Sequence, residues 1–214
     1  MQRTALSRQP LRLELADVRR KVCRRQQQSL IVFAVDASES MATGARQRVS
    51  AARDAIFGLL TGAYQRRDQV ALIGFRGERA EVLLQPTGSI ALARERLRHL
   101  AIGGATPFSD GLQQAQRLIE AAQRRQPLLV PALIIVSDGE ANVPLTPGAD
   151  VMDELWQVAA PLAGMKIASV IVDTSTAAGG SSVLQRLAEV LGGVYQRARD
   201  LHARQLYTMV RQLD

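Results

Sequence analysis

The sequence predicts a doubly wound α/β domain, a mostly parallel sheet with helices on both faces. Three observations carry that reading. Unbroken apolar runs such as Leu30-Ile-Val-Phe-Ala-Val35 and Pro131-Ala-Leu-Ile-Ile-Val136 suit strands covered on both sides. Between the strands lie segments whose apolar residues recur every three or four positions, the spacing of amphipathic helices. A single connection, the turn at Arg76-Gly77, is too short for a crossover helix and marks one antiparallel hairpin.

The elements follow in order. Residues 1–28 form a polar, basic arm, with a short helix expected around 16–25, and residues 29–214 form one domain. A strand over 29–35 comes first, then an amphipathic helix over 46–66 with Val49, Ala52, Ile56, Leu59, Leu60 and Ala63 on its apolar face. Residues 68–75 and 77–84 make the hairpin. Ser89 is placed to cap a helix reaching residue 100. The loop Gly103-Gly-Ala-Thr-Pro-Phe108 leads into a helix ending near Arg125, with Pro107 suited to its first turn. A strand over 131–136 ends in Ser137-Asp138-Gly139-Glu140. Then come a Pro- and Gly-marked loop at 142–149, a helix over 150–163 with Trp156, and a strand over 166–172. A glycine-rich tract at 177–181, a helix over 183–191, a short strand over 193–197 and a helix over 201–212 close the chain. Strand alternating with helix gives the layered sheet.

Length and composition bound what this domain can do. At 214 residues, 47% of them hydrophobic and 22% charged, the chain is long enough for one domain with a sizeable core and short for two. One cysteine, Cys23, allows no internal disulfide and fits a reducing compartment. No apolar run approaches a membrane span, and the first ten residues lack the apolar core of a secretory signal, so a cytoplasmic location is expected. The net charge is +7, and all but two of the 27 basic residues, Lys21 and Lys166, are arginines. They are spread over many helical segments, densest at Arg19 to Arg25, and aromatics make up only 4%. That pattern disfavours nucleic acid, whose single strands need stacking platforms, and suits solvated helix faces or an acidic protein partner.

The chemistry gathers at strand ends, where ligands of open α/β sheets bind. Asp36, Ser38 and Ser40 follow the first strand as Asp-x-Ser-x-Ser, Asp138 follows the 131–136 strand, and Thr106 opens a helix. Two carboxylates and three hydroxyls are hard oxygen ligands suited to Mg²⁺. Neutral hydroxyls leave such an ion electrophilic, ready for one carboxylate from outside. The set is a binding device rather than a catalytic base, and no catalytic residue is expected.

Asp36-x-Ser38-x-Ser40, Thr106 in Gly-Gly-Ala-Thr-Pro and Asp138 in Ser-Asp-Gly together resemble the metal-ion-dependent adhesion site of von Willebrand factor A, or integrin I-like, domains. The resemblance covers about residues 28–212. It implies a six-stranded sheet of order 3-2-1-4-5-6 with strand 3 antiparallel. It also implies direct metal ligation by Ser38, Ser40 and Thr106, with Asp36 and Asp138 often acting through water, and Mg²⁺ as the ion with Mn²⁺ as a substitute. A narrower resemblance spans the arm Asp17-Val-Arg-Arg-Lys21 with Arg24-Arg25, then Leu30 to Ala42, Gly74-Phe-Arg-Gly77, Ala105 to Leu112 and Ser137 to Asn142. These stretches are similar to the C-terminal part of the D subunit of magnesium chelatase and to D-like proteins of cobaltochelatases. That implies an accessory subunit working with an AAA+ ATPase subunit and a large tetrapyrrole-binding subunit, through a partner carboxylate, to insert Mg²⁺ or Co²⁺. The chain carries neither the ATPase-like half nor the acidic, proline-rich linker of the full D subunit, so a stand-alone integrin-like module is expected. Glu39 stands where that family usually has glycine, and its side chain is expected in solvent.

Other readings are weaker. No Gly-x-x-x-x-Gly-Lys-Ser/Thr occurs, so ATP hydrolysis by this chain is not expected. His99 and His202 have no motif partners for a triad or a zinc site. Asp110 serves either the positive end of its helix or a hydrogen bond to the Thr106 loop. Asp173 ends a strand without being a ligand, Trp156 reads as core, and Cys23 as unreactive. An adaptor for a MoxR-type AAA+ complex and an arginine-rich nucleic-acid binder remain the alternatives.

Overall fold

The computed structural model describes residues 28–39, 56–58, 60–61, 63 and 65–200. The expected arm helix, most of the 46–66 helix and the 201–212 helix, together with Ser40, Cys23 and His202, lie outside the described residues. Within them a six-stranded sheet has the order β3-β2-β1-β4-β5-β6. Its strands are β1 (Ser29–Asp36), β2 (Gln69–Arg76), β3 (Arg79–Thr87), β4 (Val130–Ser137), β5 (Ala168–Asp173) and β6 (Val194–Arg197). Only β3 runs antiparallel to its neighbour; every other pairing is parallel. Both the strand order and the hairpin agree with the sequence.

Apolar residues at every position from Leu30 to Val35 in β1 and from Val130 to Val136 in β4 are what a strand in the middle of a two-sided core requires. All eight residues of β1 are buried. The side chains alternate between two cores. Leu30, Val32 and Ala34 face one layer, built with α3 (Phe108–Arg125), α4 (Val151–Gly164) and α5 (Ser182–Leu191). Ile31, Phe33 and Val35 face the other, with α2 (Ile90–Arg98) and the helical residues of α1 described between 56 and 66. Changing face at each residue is the period-2 geometry of a strand, and it places helices on both sides.

N-terminal caps begin the helices where the sequence puts its polar residues. Ser89 accepts from the Leu92 N–H, Asp150 from those of Met152 and Asp153, and Ser181 from that of Leu184. Pro107 sits at the start of α3 as expected. Gly111 lets α3 lie closely on β2, because a Cβ there would come 2.7 Å from the Phe75 ring. That ring in turn stacks on Phe108, centroids 5.3 Å apart. Trp156 is only half buried, packed on the core edge with the Arg186 guanidinium 4.4 Å from its ring centroid. β1 and β4 run one residue beyond their expected carboxyl ends, β3 covers Arg79–Thr87 rather than 77–84, and β5 starts at Ala168 rather than Lys166. Lys166 has a φ of 50°, a turn conformation that strand pairing does not admit.

Candidate metal centre

Asp36 is the last residue of β1, and Asp138 comes directly after β4, the strand beside it. Parallel pairing therefore brings both carboxylates to the same end of the sheet. Asp36 is 2% exposed and spends its oxygens locally. Its Oδ1 accepts from the Ser38 N–H at 2.9 Å and its Oδ2 from the Ser137 hydroxyl at 2.7 Å. The Ser137 Oγ also accepts from the Gly139 N–H at 3.0 Å, and Asp138 Oδ1 from the Glu140 N–H at 3.0 Å. Gly139 has a φ of 85°, and a Cβ on it would strike Ser181. A left-handed turn of this kind lets the chain leave β4 without covering Asp138.

The Thr106 loop is fastened to both neighbours. On one side the Gly103 N–H donates to Ala37 O at 2.8 Å and the Glu39 N–H donates to Gly104 O at 2.9 Å. On the other, the Thr106 N–H donates to the Asn142 Oδ1 at 2.6 Å, and the Asn142 N–H donates to Thr106 O at 3.2 Å. Thr106 is thus clamped between the loop after β1 and the loop after β4. Ser38 and Thr106 are each 1% exposed. Asp138 is half buried, and Glu39 is exposed, as expected. Ser40 lies outside the described residues.

Two features of this cluster fit a cation. The Thr106 hydroxyl is buried with no hydrogen-bond partner, as are those of Ser109 and Ser175, and of these three Thr106 is the one set between the loops of Asp36 and Asp138. Burial also pushes the Asp36 carboxyl up to about 6, against hydrogen bonds from Ser38 and Ser137, and the nearby Asp138 charge pushes the same way. Among the described residues no three His, Cys, Asp or Glu side chains form a group that could hold a metal ion. The carboxylate and hydroxyl oxygens gathered here are hard donors, the kind that suits a hard divalent cation rather than a soft or nitrogen-seeking metal.

Sequence reasoning missed Ser137 and Asn142. Ser137 precedes Asp138 in a strand whose neighbour only the fold reveals, and Asn142 acts on the Thr106 backbone from 36 positions away. Of the two expectations for Asp110, its place in the first turn of α3 is what the structure shows, and its Oδ2 accepts from the Ala80 N–H on β3 at 2.7 Å rather than from the Thr106 loop. Asp173, not expected as a ligand, ties its own loop together by accepting from the N–H groups of Ser175 and Ser181 and from the Tyr195 hydroxyl.

Comparison with known proteins places this arrangement. The family model described as von Willebrand factor type A domain matches residues 31–140. Over 202 residues the chain is 39% identical to the uncharacterized Mycobacterium tuberculosis protein Rv2850c, covering 94% of this chain and 31% of that protein. Over 163 residues it is 37% identical to the magnesium-chelatase 60 kDa subunit of Cereibacter sphaeroides, covering 75% of this chain and 28% of the subunit. The chain thus spans less than a third of the length of these two relatives. Among solved structures, BatB from Bacteroides thetaiotaomicron superposes with a TM-score of 0.65 at 18% identity, over 87% of this chain and 98% of that one. A von Willebrand factor type A protein from Catenulispora acidiphila gives 0.62 at 19% identity, over 87% and 42%. The sheet order, the loops at its carboxyl end and the matched family model agree: the chain belongs to the von Willebrand factor type A domain family.

Proposed function

We propose that this chain is a Mg²⁺-dependent protein-docking module, the D-like accessory subunit of an AAA+-driven chelatase that inserts Mg²⁺ or Co²⁺ into a tetrapyrrole. The observation that carries the reading is the buried, unpartnered Thr106 hydroxyl in a loop clamped beside Asp36 and Asp138. Asp36, Ser38, Ser40, Thr106 and Asp138 would hold the ion. When bound, Mg²⁺ offers an incoming carboxylate a coordination position that the protein's neutral hydroxyls leave electron-poor.

The chain's own residues do the rest. Ser137 and the Ser38 N–H fix the Asp36 carboxylate, and Asn142 fixes the height of Thr106. The proposed ligands are carboxylates and hydroxyls with no histidine among them, which supports reading the module as one that binds rather than catalyses by itself. The relatives named as magnesium-chelatase subunits support the chelatase assignment, and they imply an assembly of several subunits. An AAA+ ATPase subunit supplying the carboxylate, and a large subunit holding the tetrapyrrole, complete the proposed machine. An arginine-rich surface suits an acidic partner. Among the described residues no helix is long and apolar enough to cross a membrane, and the lone cysteine fits the cytoplasm.

The test is capture of a chelatase-type AAA+ ATPase subunit from the same organism, with Mg²⁺ and with EDTA. Binding is expected with Mg²⁺, to be lost in EDTA, and to be lost in the Asp138→Asn and Thr106→Val variants even with Mg²⁺. Equal capture in EDTA would contradict the mechanism.

A further inference from the structure

At the far end of the sheet from the metal loops, α3 and β3 border an open groove. Two adjoining hollows of about 510 and 220 Å³ share Gln85, Pro86, Ala122 and Arg125. Gln69, which begins β2, and Leu129, which precedes β4, place the groove at the strands' opposite ends from Asp36 and Asp138. Val82, Leu118, Ala122 and Leu129 are the apolar part of its floor, beside the polar Gln69, Gln85, Gln114 and Gln126. The turn that carries Leu129 leaves Leu128 67% exposed beside it, the largest exposure of any big apolar side chain among the described residues. Neither hollow is lined by Asp or Glu.

Two arginines border the floor. Arg117 and Arg125 are both exposed, and among the described residues neither has an ion pair, whereas Glu120 is taken by Arg124 at 3.6 Å. Eight residues apart on one helix, they are separated by about 12 Å along its axis. An extended chain covers that distance in about four residues, and residues i, i+2 and i+4 of a strand share one face. Two positive groups flanking a partly apolar floor are therefore complementary to an extended acidic-x-apolar-x-acidic segment. Its carboxylates would meet Arg117 and Arg125, and its middle side chain would cover Ala122 and Leu118.

We infer that this groove is a second docking site, independent of the metal, for an extended acidic-x-apolar-x-acidic segment of a partner protein. The two ends of one sheet would then engage partners separately, one through a cation and one through arginines.

The test uses the full chain in EDTA and a fluorescein-labelled peptide, acetyl-Gly-Glu-Thr-Val-Thr-Glu-Gly amide, followed by anisotropy. The peptide is expected to bind, to weaken about tenfold or more against R117E/R125E, and to weaken when its valine is replaced by serine. An R96E/R98E variant, reversing two charges on α2 across the sheet, is expected to bind as the wild type does. Circular dichroism of each variant checks that the fold is kept. Equal weakening by R96E/R98E would reduce the effect to net charge and overturn the site. So would indifference to the valine, or no binding of the peptide at all. Sedimentation showing a dimer of the free chain that R117E/R125E disperses would assign the groove to a second copy instead. Because no arm of the experiment contains metal, its failure leaves the metal reading standing, and the converse holds.

Discussion

Asp36 is both a proposed ligand and a structural residue. Its carboxylate satisfies the Ser38 N–H and the Ser137 hydroxyl, both buried. Asp36→Ala leaves those donors unpaired, and a destabilisation of about 2 kcal/mol or more is expected in urea denaturation. Loss of partner binding in that variant would therefore say little about the metal. Thr106→Val separates the two roles. It swaps the orphaned hydroxyl for a methyl of similar shape, so in EDTA its stability should lie within about 1 kcal/mol of the wild type or above it. The rise in melting temperature that Mg²⁺ gives the wild type by mass action should be absent from the variant. Asp36, Ser38, Thr106 and Asp138 were legible as a set because each follows an apolar run or opens a helix. The supporting Ser137 and Asn142 were not, since their partners lie 101 and 36 positions away and adjacency depends on strand order.

At the scale of elements, α3 is seated on β2 by a missing side chain. Gly111→Ala would drive a methyl into the Phe75 ring, which is itself held in the stack with Phe108. A loss of about 1–3 kcal/mol is expected, measured by denaturant unfolding. The loop between β5 and α5 depends instead on a carboxylate. Burial pushes Asp173 up, but hydrogen bonds from Tyr195, Ser181 and Ser175 outweigh it and hold its carboxyl below the usual range. A depressed carboxyl stabilises the fold above its unfolded value and loses that contribution as pH falls through the folded one. The stability gap between wild type and Asp173→Asn should thus be widest near neutrality and close below about pH 4. An unchanged gap between neutral and acid pH would contradict this. Burial and the Asp173 bond push the Tyr195 hydroxyl up, keeping it a donor. Most strands and helices could be placed from apolar periodicity and capping residues. Pairing of Asp173 with Tyr195 could not, because it follows from β5 lying beside β6.

On the scale of the whole molecule, the sheet separates two kinds of surface. Its carboxyl end carries paired carboxylates and a buried hydroxyl; its other end carries arginines over a partly apolar floor. A chain of net charge +7 should associate with acidic partners in a salt-dependent manner at the arginine end. Cation-mediated contact at the other end should depend chiefly on Mg²⁺. Strand order was expected from the family resemblance, while the alternation of strand and helix by itself only narrowed the topologies. The groove was not legible in the sequence. Its arginines look like any others in a chain where they are abundant, and only the fold shows which of them border it.

The most direct measurement is a titration of the metal-free chain with Mn²⁺ followed by electron paramagnetic resonance of the free ion. The account predicts a single saturable Mn²⁺ site, displaced by Mg²⁺ and lost in both Thr106→Val and Asp138→Asn. Wild-type protein that leaves all the Mn²⁺ free, or variants that bind it as the wild type does, would contradict the account.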